Sequence, residues 1–256
     1  MNLKSKLKNF VHEFGLDTYK KFSPDFFPAG WDVASDIERI CGKQQPKIIF
    51  DVGANIGQTA TYYREKFPRS DIYCFEPIRE TYSILEAKFS RDQRVKCFPI
   101  ALGASPEKKE IVLNENSQQN SLTDKLNEGR AIGTDENSPK TEIVQIDTLD
   151  GFCQENNINE IDLLKIDTEG YELEVLKGAS DFLENRKITL VLAEVGFRPS
   201  DSRHTPFPAL HEHLYGRGFR FYALYDLSYW HPYQYEGLIY CNALFVNAKL
   251  VKSRYY

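Results

Sequence analysis

Between Lys47 and Glu194 the chain alternates short β-branched or aromatic runs with stretches of helical period, and this alternation limits the available folds more than any other feature. Strands are expected at 47–51, 71–75, 95–100, 161–166 and 188–194, with helices at about 57–67, 78–90, 148–157 and 170–185. Such a rhythm predicts βαβ units joined by right-handed crossovers, hence an α/β fold with a mostly parallel sheet and helices on both faces. Four of the runs end at or next to an acidic residue: Asp51, Glu76, Asp167 and Glu194. In an open α/β sheet ligands bind outside the carboxyl ends of the strands, so the four carboxylates are expected along the ligand-binding edge.

The 256 residues are 41% hydrophobic and 27% charged, enough for a full core in one main domain. That domain is expected over 47–256, behind an N-terminal helical extension of residues 1–46 with a helix near 33–41. A formal net charge of −5 gives no overall basic field for a phosphate backbone, so nucleic acid is not the expected partner. The tetrapeptides Asn-Pro-Pro-Tyr and Asp-Pro-Pro-Tyr and a Pro-Cys nucleophile are absent too, which counts against DNA base chemistry. Five scattered cysteines, never in C-x-x-C spacing, define neither a disulfide framework nor a thiolate metal site. With no run as long as a membrane span and no signal core, the expected compartment is the cytoplasm. Leu3, Leu7, Phe10 and Phe14 with interspersed lysines give residues 1–14 a short basic amphipathic face. Peripheral membrane contact is one reading of it, and a helix capping the domain is the plainer one.

After Ala101-Leu102-Gly103 the rhythm breaks. Short strands at 110–113 and 141–146 flank a polar stretch, 114–140, too poor in large apolar residues to form its own core and readable as a lid or a long loop. At the other end, a helix near 206–216 precedes runs at 219–224 and 240–246, expected to be an antiparallel pair at the sheet edge. The aromatic residues of this tail suit sugar stacking, edge packing or a homodimer.

The turn after the first strand reads Asp51-Val52-Gly53-Ala54-Asn55-Ile56-Gly57. A dinucleotide fingerprint needs a glycine where Asn55 stands, because the backbone must approach a pyrophosphate there. S-adenosylmethionine (SAM) carries no phosphate. Asp51 and the turn through Gly53, Ala54, Asn55 and Gly57 are expected to receive its amino-acid end, and Glu76 its ribose, since an ionised carboxylate accepts at two oxygens and fits a vicinal diol.

These residues, together with Phe75-Glu76-Pro77, Ala101-Leu102-Gly103 and the block from Leu163 through Ile166-Asp167-Thr168-Glu169-Gly170-Tyr171-Glu172 to Ala179, closely resemble the FkbM family of SAM-dependent methyltransferases. The resemblance spans about 47–196. It implies a class I methyltransferase fold, Rossmann-like, with a seven-stranded sheet whose last strand is antiparallel. It also implies O-methylation, frequently of sugars in glycans, glycolipids or natural products, so that a saccharide or glycoconjugate is the expected acceptor; a lipid, polyketide or protein acceptor and a non-catalytic docking module are the alternatives. By position, the turn, Glu76 and Ala101 become cofactor contacts, and Asp167 and Glu169 belong to the family's acidic block.

An alcohol needs a proton acceptor to become a nucleophile, and the candidates are Asp167, Glu194 and His204 in the loop after Glu194. Asp167 and Glu194 are also the expected pair for a magnesium ion, which favours oxygen ligands. His211-Glu212-His213 is not H-E-x-x-H, which rules out that zinc motif. Lys165, in an apolar strand, needs a carboxylate partner such as Asp167.

Overall fold

The computed structural model describes residues 28–42, 44–113, 122, 141–198, 201, 203–229 and 237–255. The amphipathic face at 1–14 lies outside these residues, as does the polar stretch 114–140 apart from Leu122. No described helix is long and apolar enough to cross a membrane.

Seven strands form the main sheet: β1 (Ile48–Val52), β2 (Asp71–Phe75), β3 (Val95–Phe98), β7 (Ile161–Ile166), β8 (Ile188–Gly196), β9 (Phe219–Tyr229) and β10 (Leu238–Asn247). Their order is β3-β2-β1-β7-β8-β10-β9, and β10 runs antiparallel to both β8 and β9. The antiparallel strand is thus the last in sequence but not the outermost. It slots between β8 and β9, so the expected edge pair leaves β9 alone at the edge. A second sheet, β4-β6-β5, is built from β4 (Ala101–Leu102), β5 (Glu107–Val112) and β6 (Thr141–Asp147).

Successive residues of a strand face opposite sides of its sheet, so strands covered on both sides are mostly apolar and their few polar residues need buried partners. That is why β7 reads Ile-Asp-Leu-Leu-Lys-Ile and β8 Ile-Thr-Leu-Val-Leu-Ala-Glu-Val-Gly, with every residue of both strands buried. One face carries Phe50, Phe75, Leu164, Ile166, Val191 and Val195 against α4 (Leu149–Glu155), α5 (Glu172–Lys177), α6 (Ser180–Glu184) and α7 (Phe207–Tyr215). The other carries Ile49, Ile72, Leu163, Leu190, Leu192 and Leu244 against α1 (Val33–Ile40), α2 (Gln58–Lys66) and α3 (Arg79–Phe89). Through Ala34, Ile37 and Ile40, the α1 part of the N-terminal extension belongs to this core. A closing helix, α8 (Ala248–Tyr255), had no signal in the sequence and adds Val251 to the same face.

The single helix expected at 170–185 is two short helices, α5 and α6. Gly178 stands at the break, where an added Cβ would lie 1.9 Å from the Gly103 carbonyl oxygen. The chain bends so that this backbone approach can form, and only glycine permits it.

From β1 the chain steps outward through β2 to β3, then returns to place β7 on the opposite side of β1. The crevice at such a reversal is where open α/β sheets take their ligands.

Candidate functional site

A cavity of about 380 Å³ opens at this reversal. Its walls are the turn residues Gly53, Ala54 and Asn55, then Glu76, Pro77 and Ile78 beyond β2, and Asp167, Thr168 and Glu169 beyond β7. Glu194 of β8 and Tyr240 of β10 complete its acidic end, and Ala101, Leu102, Ile111 and Leu122 its apolar end.

The turn is held by close backbone contact. Gly53 has φ +83, and a Cβ there would meet the Asp167 carbonyl oxygen at 1.9 Å. The amides of Gly53 and Ala54 both donate to the Phe75 carbonyl at 3.0 Å, the Asn55 amide donates to Glu76 Oε2 at 3.0 Å, and that of Ile56 to Asn55 Oδ1 at 2.7 Å. Four successive N–H groups are therefore spent on protein acceptors. A pyrophosphate cradle needs such groups free, so the turn is a shaped wall and not an anion receptor. Gly57, at φ +80, lies outside the cavity; it starts α2 and packs on Leu85 and Phe89 of α3.

Glu76 accepts one backbone N–H at each oxygen, from Asn55 and, at 2.9 Å, from Ile78. Each oxygen keeps a further lone pair for a ligand. Burial pushes this carboxyl up to about 7, against the pull of the two amides.

Asp51 is placed differently from the sequence expectation. Its side chain is only 1% exposed and is not among those lining the cavity, because β1 carries it beneath the turn, opposite Lys165 of β7. Its Oδ2 has no hydrogen bond among the described residues, and burial raises the carboxyl to about 6 despite the Lys165 charge. Lys165, 3% exposed, donates to Asp167 Oδ2 at 2.9 Å. Burial disfavours the lysine's charge, yet Asp167 and then Asp51 hold its pKa above the ordinary value. Burial likewise opposes ionisation of Asp167, but Lys165 and a hydrogen bond with Glu194 keep it below the usual carboxylate range. Asp167 therefore stands as an anion at the cavity wall. Beside it, burial and the Asp167 charge push the Glu194 carboxyl up to about 9.

His204 is brought to the same end but behind the wall. Its Nδ1 is 2.6 Å from Asp201 Oδ2, its Nε2 is 3.5 Å from Glu194 Oε2, and its ring stacks on Tyr240 with centroids 4.3 Å apart. Buried Glu172 ties the loops together. Its Oε1 accepts from the Thr168 and Gly170 amides, and its Oε2 from the Thr205 hydroxyl.

For a metal, the ligand-capable atoms that gather among the described residues belong to Glu169, Glu194 and His204, within 4.8 Å of one another. The expected magnesium pair differs from this set, since Asp167 is taken up by Lys165, and an imidazole is a poor ligand for an ion that prefers oxygen. Tyr240, Asp201, Ile111 and Leu122 were not anticipated as site residues. Asp201 and His204 at i, i+3 were readable as a pair, whereas Tyr240 and Leu122 reach the cavity only through tertiary packing.

The strand order, with its one antiparallel strand and a cavity at the β1–β7 reversal, is that of a class I methyltransferase. The chain belongs to the FkbM methyltransferase family: the family's methyltransferase domain matches residues 51–221. The domain is accordingly of the SAM-dependent methyltransferase type.

Among curated relatives, Methyltransferase 1 of Beauveria bassiana is 31% identical over 147 residues, covering 52% of this chain and 58% of the relative. Methyltransferase sdnD of Sordaria araneosa is 27% identical over 211 residues, covering 73% and 78% respectively. Hexuronic acid methyltransferase AglP of Haloferax volcanii is 25% identical over 158 residues, covering 62% and 60%. The chain thus spans less than two thirds of the first and third of these. Among solved structures, fibrillarin of Aeropyrum pernix with natively bound S-adenosyl-L-methionine shares 14% identity over 78% of this chain and 66% of its own, at a TM-score of 0.42. A precorrin-6y C5,15-methyltransferase of Geobacter metallireducens shares 8% over 88% and 96%, at 0.43.

Proposed function

We propose that this domain transfers a methyl group from SAM to a hydroxyl of a sugar or glycoconjugate. The observation that carries the cofactor half is the composition of the cavity. It offers a doubly anchored carboxylate, an apolar end and an acidic end, beside a turn with no amide left for phosphate. These residues fit a donor-rich cofactor without phosphate. Glu76 would hold the ribose hydroxyls, Ile78, Leu102, Ile111 and Leu122 the adenine, and Gly53, Ala54 and Asn55 the amino-acid end. Bound there, SAM would supply an electrophilic methyl group, its sulfonium S–CH3 bond breaking to leave the neutral thioether S-adenosylhomocysteine.

The remaining work is positioning and proton removal, and effective molarity supplies much of the acceleration once the reactants are aligned. Asp167, kept anionic by Lys165, accepts the hydrogen bond of the acceptor hydroxyl and takes its proton as the new O–C bond forms. Glu194 and Tyr240 shape the wall against which the acceptor lies. The sugar assignment is supported by the likeness to the relative named a hexuronic acid methyltransferase and by the acidic wall, whose carboxylates suit hydroxyl donors.

Labelled methyl transfer from SAM to a panel of hexuronate-bearing oligosaccharides, neutral glycans and long-chain alcohols tests the acceptor. Label is expected in a saccharide and in an alkali-stable ether. Label confined to the non-sugar alcohols would overturn the sugar reading and leave the cofactor reading standing.

A further inference from the structure

Glu169, Glu194 and His204 reach one point from three parts of the chain: the loop after β7, the end of β8, and the segment before α7. The Asp201 carboxylate holds His204 Nδ1 at 2.6 Å. In the neutral imidazole that bond takes the Nδ1 proton and leaves a lone pair on Nε2. This nitrogen faces Glu194 Oε2 at 3.5 Å, a buried oxygen with no hydrogen bond among the described residues, on a residue only 8% exposed. Two lone-pair atoms so placed repel one another unless a cation stands between or beside them.

The third member is held in place at a cost. Glu169 has φ +54, a left-handed conformation that non-glycine residues seldom take, followed by Gly170 at φ +98. Glu172 fixes the loop through the Thr168 and Gly170 amides. One oxygen of Glu169 meets the Arg203 guanidinium at 2.8 Å. A carboxylate behind a histidine and a stacked ring fixing the imidazole plane constitute outer support of the kind metal-ligating histidines receive.

We propose that Glu169, Glu194 and His204 form a binding site for a divalent first-row transition ion, Mn2+ or Zn2+, in the wall of the cavity. One imidazole nitrogen and two carboxylate oxygens favour such an ion over Mg2+ or Ca2+, which take oxygen alone. Three protein ligands leave coordination positions open, and Glu169 and Glu194 both line the cavity, so the open side faces the acceptor space. An ion there would orient the acceptor's oxygens, a role that rests on the methyl-transfer reading; binding of the ion itself does not.

The test uses the full chain stripped with chelator and titrated with Mn2+ alone, following loss of the free-ion electron paramagnetic resonance signal, and with Zn2+ by calorimetry. One ion per chain is expected, bound at least tenfold more weakly by Glu169→Gln and by His204→Ala, and not displaced by an equal concentration of Mg2+. Circular dichroism and SAM titration of Glu169→Gln check that the variant is folded. No ion taken up by the wild-type chain would overturn the site and identify a proton as the cation between Glu194 and His204. Uptake unchanged in both variants would overturn it as well. Ion uptake retained while SAM fails to bind would leave the site standing and bring down the cofactor reading instead.

Discussion

Glu76 sits where burial and ligand binding oppose one another. Burial favours the neutral acid and raises the carboxyl to about 7, whereas a ribose diol, being a pair of donors, prefers the carboxylate. Affinity for SAM should therefore rise with pH from about 6 to about 8, with a proton released on binding, and calorimetry in buffers of different ionisation enthalpy reads both. Glu76→Gln should flatten the profile; an equally steep profile in the variant would assign the titration elsewhere. Asp167 should behave in the opposite way, as a group for transfer more than for cofactor affinity. Asp167→Asn is expected to lower kcat by about 10²–10⁴-fold, the usual contribution of a positioned base, with SAM affinity changed only a few-fold. At this scale Glu76, Asp167 and Glu194 were legible because each ends a strand and a strand end has a fixed place. Asp51 also closes an apolar run, but whether a residue near a strand's end points into the crevice or beneath it depends on the twist and pairing of neighbours, which a single strand does not reveal.

The strands were legible as elements for a physical reason: a strand covered on both faces is mostly apolar, and β1, β2, β7 and β8 are, their few buried polar residues such as Asp51, Asp162, Lys165 and Glu194 excepted. Helix continuity was not, since the break at Gly178 comes from contact with Gly103, 75 positions away in the chain numbering. Likewise nothing in the local pattern of 219–229 and 238–247 says which of the two strands lies outermost. Two predictions belong to these elements. Gly53→Ala should destabilise the β1–α2 turn by at least about 1–3 kcal/mol from the left-handed conformation alone, more with the overlap on the Asp167 carbonyl, read as a lowered urea midpoint; an unchanged midpoint would contradict the turn geometry. Asp51 tests the buried charge row linking β1 and β7. Its folded pKa, about 6, lies above the ordinary carboxylate value of 3.8, so its contribution is fully present below about pH 4 and is lost as pH rises through 6. Asp51→Asn removes that titration. Relative to wild type, the variant should gain up to about 3 kcal/mol between pH 4 and pH 8, measured by urea unfolding across that range; parallel stability curves would show that Asp51 does not titrate there.

For the molecule as a whole, the reversal of strand order between β1 and β7 creates the crevice, and the sequence places a tight turn, a doubly bonded glutamate and three carboxylates around it. The turn spends its amides on Phe75 and Glu76, so the site excludes phosphate by the way it is built and is left with acceptors facing the ligand. Fold class and cofactor type were legible from that combination because both follow from residues at strand ends. The acceptor was not, since the walls that would choose it, from Glu169 across Glu194 to Tyr240, assemble from segments distant in sequence. The most direct test of the account is a calorimetric titration of SAM into the wild-type chain and into Glu76→Ala, with thermal melting to confirm that both are folded. One equivalent bound by the wild type and at least tenfold weaker binding by the variant is the predicted result. A folded wild-type chain that binds no SAM, or a folded variant that binds it as tightly, would contradict the assignment of the cavity.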